Sequence, residues 1–301
     1  MTLCRRGPRA AGAPPIESRP SLQTSTSTVR SSYTHRGLKL SYLDSAPGDR
    51  SRPVVLLLHG FPDEASMWAA QITALHGAGF RVLAPDICGY GESDMAPKLG
   101  DYHARRIVAD QTALLDHLGV GAADVVGHDW GAVIAWFMAI WAAERVRRLV
   151  VMSVGHPTVY ARAGWEQKRK GWYTLYFQLP WLSERMLASA SRFSLQWVFG
   201  SHPRILEAMK RVRRPGRMLA AIRLYRANAL TILFGRLGSV SAPTLGLYSE
   251  GDAFLSEAQM TDSERLVTGG WSYQKLPGGH WIPLTQAARC NQLLVDFLSH
   301  A

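Results

Sequence analysis

Val125-Val126-Gly127-His128-Asp129-Trp130-Gly131, followed by Ala132-Val133-Ile134-Ala135-Trp136-Phe137-Met138-Ala139, decides the fold. Two β-branched residues lead into a Gly-x-Asp-x-Gly core, and an apolar run compatible with a helix follows. That is the strand–turn–helix setting of a nucleophile elbow, with aspartate at its tip. Gly127 and Gly131 permit a turn that bulkier side chains would obstruct. The turn lifts Asp129 out of the sheet to a helix N-terminus, where the helix dipole favours negative charge. A carboxylate in that position suits attack on a saturated carbon, because no base has to remove a proton first. The plainer role for Asp129 is a helix N-cap, and the stretch alone leaves both open.

Outward from the elbow, short apolar runs alternate with helical stretches. Pro53-Val54-Val55-Leu56-Leu57-Leu58 reads as a strand covered on both faces. Further strands are expected at 81–85 and 149–152, with helices near 67–77 and 104–118. Strands separated by helices argue for βαβ units and an α/β fold with a mostly parallel sheet. At the N-terminal side, Leu38, Leu40 and Tyr42 alternate with polar residues, and His35-Arg36-Gly37 would turn a hairpin. From 156 to 238 the chain reads as helices only, broken at Pro180, Pro203 and Pro215-Gly216. Alternation then resumes with strands at 244–248 and 273–276, a helix near 256–266 and a last helix over 285–299. The reading is therefore a core of 33–155 and 239–301 with an inserted helical cap, 156–238, over the strand ends, where α/β sheets place their sites. Residues 1–32 are rich in Arg, Ser, Thr and Pro, with Glu17 as the one acid, and are expected to be a disordered basic tail. Arg5-Arg6 has no apolar stretch after it, so an export signal is not expected.

An elbow of this kind calls for an acid after a late strand and a histidine after the last one, in that chain order. Asp252 in Glu250-Gly251-Asp252 and His280 in Pro277-Gly278-Gly279-His280-Trp281 stand where required. With His59-Gly60-Phe61-Pro62 after an early strand, these residues resemble the α/β-hydrolase fold family of epoxide hydrolases, with haloalkane dehalogenases as relatives. The resemblance covers about 33–299. It implies an Asp129–Asp252–His280 triad and an oxyanion hole from the amides of Phe61 and Trp130. It also implies two cap tyrosines over the nucleophile, matched to Tyr176 in Tyr176-Phe177-Gln178 and to Tyr225 in Tyr225-Arg226. Ring opening leaves a strongly basic alkoxide, so a phenol that stays protonated at neutral pH is a fitting donor. The chain departs from the pattern at Cys88, where relatives carry arginine, and at Gly155, where many carry proline.

The activity implied is conversion of an epoxide to a vicinal diol through an aspartyl ester, without cofactor or metal. His59 and His128 have no third ligand at suitable spacing, and no phosphate- or dinucleotide-binding glycine motif appears. A dehalogenase with the same nucleophile is the alternative. Phe61, where many dehalogenases carry Asn or Glu, and the tyrosine pair speak against it. A catalytically silent binding protein on this fold is the third reading.

Composition limits the partners. The 301 residues carry 47% hydrophobic and 19% charged residues, as ordinary globular proteins do. No apolar run reaches the roughly 20 residues of a membrane span. Three scattered cysteines suggest a reducing, cytoplasmic setting. The net charge of +11 comes from the cap, which has fifteen basic residues against three acidic. A solvated face is the plain account. The sharper one is a field that draws anionic epoxides, such as epoxy fatty acids, with membrane contact allowed but not required. Nothing resembles a nucleic-acid-reading module.

Overall fold

A computed structural model describes residues 28–190 and 192–299. The tail expected over 1–32 lies outside the described residues as far as position 27. Its last four positions belong to a strand. That strand, β1 (Val29–His35), pairs along its whole length with β2 (Leu38–Asp44). Polar Arg30, Ser31 and Ser32 conceal it in the sequence. Arg30 nonetheless ties it to the sheet, donating to Asp86 at 2.5 Å and to the Ser41 hydroxyl at 2.8 Å.

The remaining strands are β3 (Val54–Leu58), β4 (Arg81–Pro85), β5 (Ala123–His128), β6 (Val146–Met152), β7 (Thr244–Ser249) and β8 (Trp271–Leu276). They form one eight-stranded sheet in the order β1-β2-β4-β3-β5-β6-β7-β8. Pairing is parallel from β4 to β8, and β1 and β2 run antiparallel at one edge. Every residue of β3, β4, β5 and β7 is buried, as continuous apolar strands covered on both faces should be. The pleat shows in β3. Leu56 and Leu58 join one apolar cluster with Ile134 and Phe137 of the helix Trp130–Trp141. Val55 and Leu57 join the other, with Ile72 and Leu75 of the helix Ala69–Gly77 and Leu294 and Leu298 of the helix Ala287–Ser299. No helix of the described residues is long and apolar enough to cross a membrane.

Between β6 and β7 the described residues form seven helices: Pro157–Arg162, Trp165–Lys170, Trp172–Tyr176, Leu182–Ala188, Leu195–Val198, Ile205–Val212 and Arg217–Phe234. Proline stands in three of the breaks, at Pro180, Pro203 and Pro215, and Gly164 and Gly171 stand in two others. Gly216, with φ +76, precedes the helix Arg217–Phe234. Much of the basic charge in this segment fastens it to the sheet-bearing part. Arg217 donates to the Ser93 carbonyl at 2.6 Å and Arg223 to the Ala96 carbonyl at 3.0 Å. Arg214 pairs with Glu92 at 3.0 Å, and Asn228 holds the amide of Ala104 at 2.7 Å.

Candidate active site

The elbow is built by crowding. Asp129 has φ 53 and ψ −124, a region that ordinary residues avoid and that surrounding structure must enforce. A Cβ at Gly131 would collide with the carbonyl of Leu58 on β3, and one at Gly127 with the carbonyl of Gly131. Strand, turn and helix can approach this closely only with glycine at both places. Asp129 occupies the N-cap position of the helix Trp130–Trp141, yet its side chain makes no capping bond. Instead Oδ1 accepts the Phe61 amide at 2.8 Å, and Oδ2 lies 3.5 Å from His280 Nε2. A Cβ at Gly60 would strike the Asp129 side chain, so the loop before Phe61 needs glycine to come this near. The Trp130 amide opens the same helix and has no intrahelical acceptor.

His280 is 3% exposed and follows β8. Its Nδ1 is 2.8 Å from Asp252 Oδ2. Asp252 Oδ1 in turn accepts the amides of Phe254 at 2.9 Å and Leu255 at 3.0 Å. Burial alone would raise the Asp252 carboxyl, but His280 and those two amides hold it below the usual carboxylate range. Burial likewise opposes charge on His280, and the carboxylates of Asp252 and Asp129 overcome it, pushing the imidazole up to about 10. The line Asp129–His280–Asp252 therefore rests with an imidazolium between two acids.

His128 and His59 serve the frame. His128 Nε2 donates to the His280 carbonyl at 2.9 Å, and burial with the neighbouring His280 pushes it down to about 4. It stays neutral beside the charged His280. His59 accepts the Ile87 amide at 3.0 Å and donates to the Gly60 carbonyl at 3.0 Å. Cys88 is buried and pushed up to about 11 by that burial, which makes it a poor nucleophile.

A cavity of about 130 Å³ extends from Asp129 and Trp130 to Leu175 and Leu233 at the surface. Tyr160, Tyr173 and Tyr225 line it. Tyr225 comes from the helix Arg217–Phe234 and is boxed by Phe61, Trp130 and Phe177, with ring centroids 4.8–5.7 Å away. Burial first, and then the negative Asp129, raise the hydroxyls of Tyr173 and Tyr225 well above an ordinary phenol, with Tyr160 adding to the shift at Tyr173. Both remain protonated.

The expectation for Tyr176 is corrected here. Its hydroxyl donates to the Phe193 carbonyl at 3.2 Å, its ring stacks on Trp172, and it does not line the cavity. At roughly 100° per residue, Tyr173, Thr174, Gln178 and Leu175 sweep one side of the turn, and Tyr176 falls on the other. Asp129, Asp252, His280, Phe61, Trp130 and Tyr225 lie together at one place in the fold. Tyr173, one turn earlier, takes the place given to Tyr176. Its nearest signal in the sequence is its position three residues before Tyr176.

Comparison with known proteins adds the family. The family described as alpha/beta hydrolase fold matches residues 53–287. The human protein named Epoxide hydrolase 4 is 32% identical over 280 residues, covering 87% of this chain and 76% of that protein. Epoxide hydrolase 3 of Xenopus tropicalis is 28% identical over 99% of this chain and 86% of its own length. Among solved structures, Epoxide Hydrolase A from Mycobacterium thermoresistibile superposes with a TM-score of 0.77 at 25% identity. It covers 91% of this chain and 98% of its own.

Proposed function

The chain belongs to the alpha/beta hydrolase fold family, and from that membership we propose that it hydrolyses epoxides to vicinal diols through an aspartyl ester, beneath a helical cap formed by 156–238. The observation that carries this reading is that Asp129, Tyr173 and Tyr225 line one cavity, with the charge of Asp129 felt by both phenols. A nucleophile without a proton and two acids without a charge are what opening of a neutral three-membered ring requires. The relatives named epoxide hydrolases support the same substrate class.

The geometry supports these steps. An Asp129 oxygen attacks a ring carbon, the C–O bond breaks, and the ring oxygen takes a proton from Tyr173 or Tyr225. Ester formation removes the Asp129 charge that helped to hold the His280 proton. His280 then yields that proton, which restores the tyrosine. As a neutral base oriented by Asp252, it takes one from water attacking the ester carbonyl. The amides of Phe61 and Trp130 receive the oxyanion. Collapse breaks the ester C–O bond, and the leaving alkoxide takes the proton from His280 and departs as the diol. The new Asp129 carboxyl returns its proton to His280, restoring carboxylate and imidazolium.

Trp130 is the one tryptophan among the described cavity-lining residues, and its side chain is hydrogen-bonded to Tyr225. Trp165 and Trp181 are exposed. Among the described residues no second indole lines the cavity to hold a departing halide, which weighs against the dehalogenase reading. Exposed Arg162, Lys168, Arg169 and Arg185 on the cap favour epoxides that carry a carboxylate. A reducing, cytoplasmic setting suits the buried free thiols of Cys88 and Cys290.

The test is to block the second half-reaction. His280→Gln should still be alkylated by an epoxide that the native enzyme turns over. Mass spectrometry should then find the adduct on the peptide containing Asp129. An adduct on another peptide, or none, would sink the mechanism.

A further inference from the structure

The loop that carries Asp252 is held from two sides. On its inner side, its own amides at Phe254 and Leu255 point to Asp252 Oδ1, which leaves Oδ2 for His280. On its outer side, the short helix Trp165–Lys170 reaches it with two side chains. Lys170 Nζ donates to the carbonyls of Asp252 at 2.8 Å and Leu255 at 2.9 Å. Gln167, only 3% exposed, donates to the Phe254 carbonyl at 3.0 Å and accepts from the Ser256 amide at 2.8 Å and hydroxyl at 3.2 Å. A loop whose carbonyls face one partner and whose amides face another keeps its curvature only while both are present.

That curvature matters beyond Asp252. The ring of Phe254 lies 5.3 Å from the ring of His280, and Leu255 lines the cavity. Gln167 also bonds to the phenol of Tyr160, another cavity residue. One buried amide thus joins the cavity wall to the acid loop. Removing it would leave the Phe254 carbonyl and the Ser256 amide without those partners, and buried polar groups rearrange rather than stay unpaired.

We propose that Gln167 and Lys170 are positioning residues through which the cap shapes the Asp252 loop, so that ester hydrolysis depends on the cap's grip while ester formation does not. The inference rests on the two-step reading above. Ester formation uses Asp129 and the tyrosines, whereas hydrolysis needs His280 turned by Asp252. A loosened loop costs orientation of the base, and small misplacements of a catalytic group are expensive.

Rapid-quench kinetics on Gln167→Ala, Lys170→Met and Lys170→Arg, with an aryl epoxide that the native enzyme turns over, would measure formation and decay of the ester separately. The expected result is decay slowed by about tenfold to a hundredfold in the first two, with formation near the native rate and Lys170→Arg largely restored. The proton NMR resonance of His280 Nδ1–H gives a readout that needs no ester, and it should move or broaden in Gln167→Ala and Lys170→Met. Equal slowing of both steps, unchanged decay, or an unmoved resonance would overturn the proposal. If the native enzyme forms no ester, the two-step reading fails, and the resonance alone judges whether the cap shapes the acid loop. If Gln167→Ala does not fold, Lys170→Met, altered at a side chain that is 19% exposed, decides by the same outcomes.

Discussion

Tyr173 and Tyr176 stand three residues apart at the same short helix, yet Tyr173 lines the cavity above Asp129 while Tyr176 bonds to the Phe193 carbonyl. Two neighbouring phenols therefore have different work. Tyr173→Phe and Tyr225→Phe should each slow ester formation by about 10²-fold or more, and Tyr176→Phe should leave it near native. Burst kinetics on the three variants check this. Equal damage from Tyr176→Phe would return the donor role to that residue.

The charged line through His280 should be visible in stability. Its value in the fold, about 10, is raised above the ordinary 6.5. A raised value means stabilisation that is complete below 6.5 and is lost as pH climbs through about 10. The gap in unfolding free energy between native protein and His280→Gln should therefore shrink over that window. Urea titrations at stepped pH measure the gap, and one that widened with pH would contradict the assignment.

Gly60 offers a test of how closely the oxyanion loop must approach. A methyl group there meets the Asp129 side chain. Gly60→Ala should lose about 1–3 kcal/mol of stability through overpacking. It should also lose about 10²-fold in kcat through displacement of the carboxylate. Denaturant titration and steady-state assays report the two effects separately, and native kcat would mean that the loop relaxes harmlessly.

The exposed cap cations predict a salt effect on substrate choice. For an epoxy fatty acid, kcat/KM should exceed that of its methyl ester at low ionic strength, and most of the advantage should vanish as ions screen the field. Identical salt dependence for acid and ester would remove the cap charge from substrate selection.

Much of the fold was legible because burial on both faces writes itself as unbroken apolar runs. β3 and the helix after Asp129 are such runs. Asp252 and His280 are ordinary polar residues in turns, and only their order relative to Asp129 distinguished them. The hairpin at His35-Arg36-Gly37 is legible, but the start of its first strand is not, because Arg30, Ser31 and Ser32 fill an edge whose outward side chains need not be apolar. Tyr176 was chosen over Tyr173 because a motif cannot say which arc of a five-residue helix faces inward. The role of Gln167 and Lys170 at the acid loop is not legible in the sequence, since the loop atoms they hold are mostly backbone atoms 82 to 89 positions away.

The helices between β6 and β7 join the rest of the fold largely through main-chain oxygens. Arg217, Arg223, Gln167 and Lys170 reach main-chain oxygens of Ser93, Ala96, Asp252, Phe254 and Leu255. Main-chain oxygens are present whatever residue supplies them, and they do not titrate. These contacts make few demands on side-chain identity across the divide and acid does not neutralise their acceptors, unlike the Arg214–Glu92 and His202–Asp63 pairs of the same join. In an evolving lineage the residues that supply those main-chain oxygens can then drift freely, whereas Glu92 and Asp63 are tied to Arg214 and His202 and can change only with them.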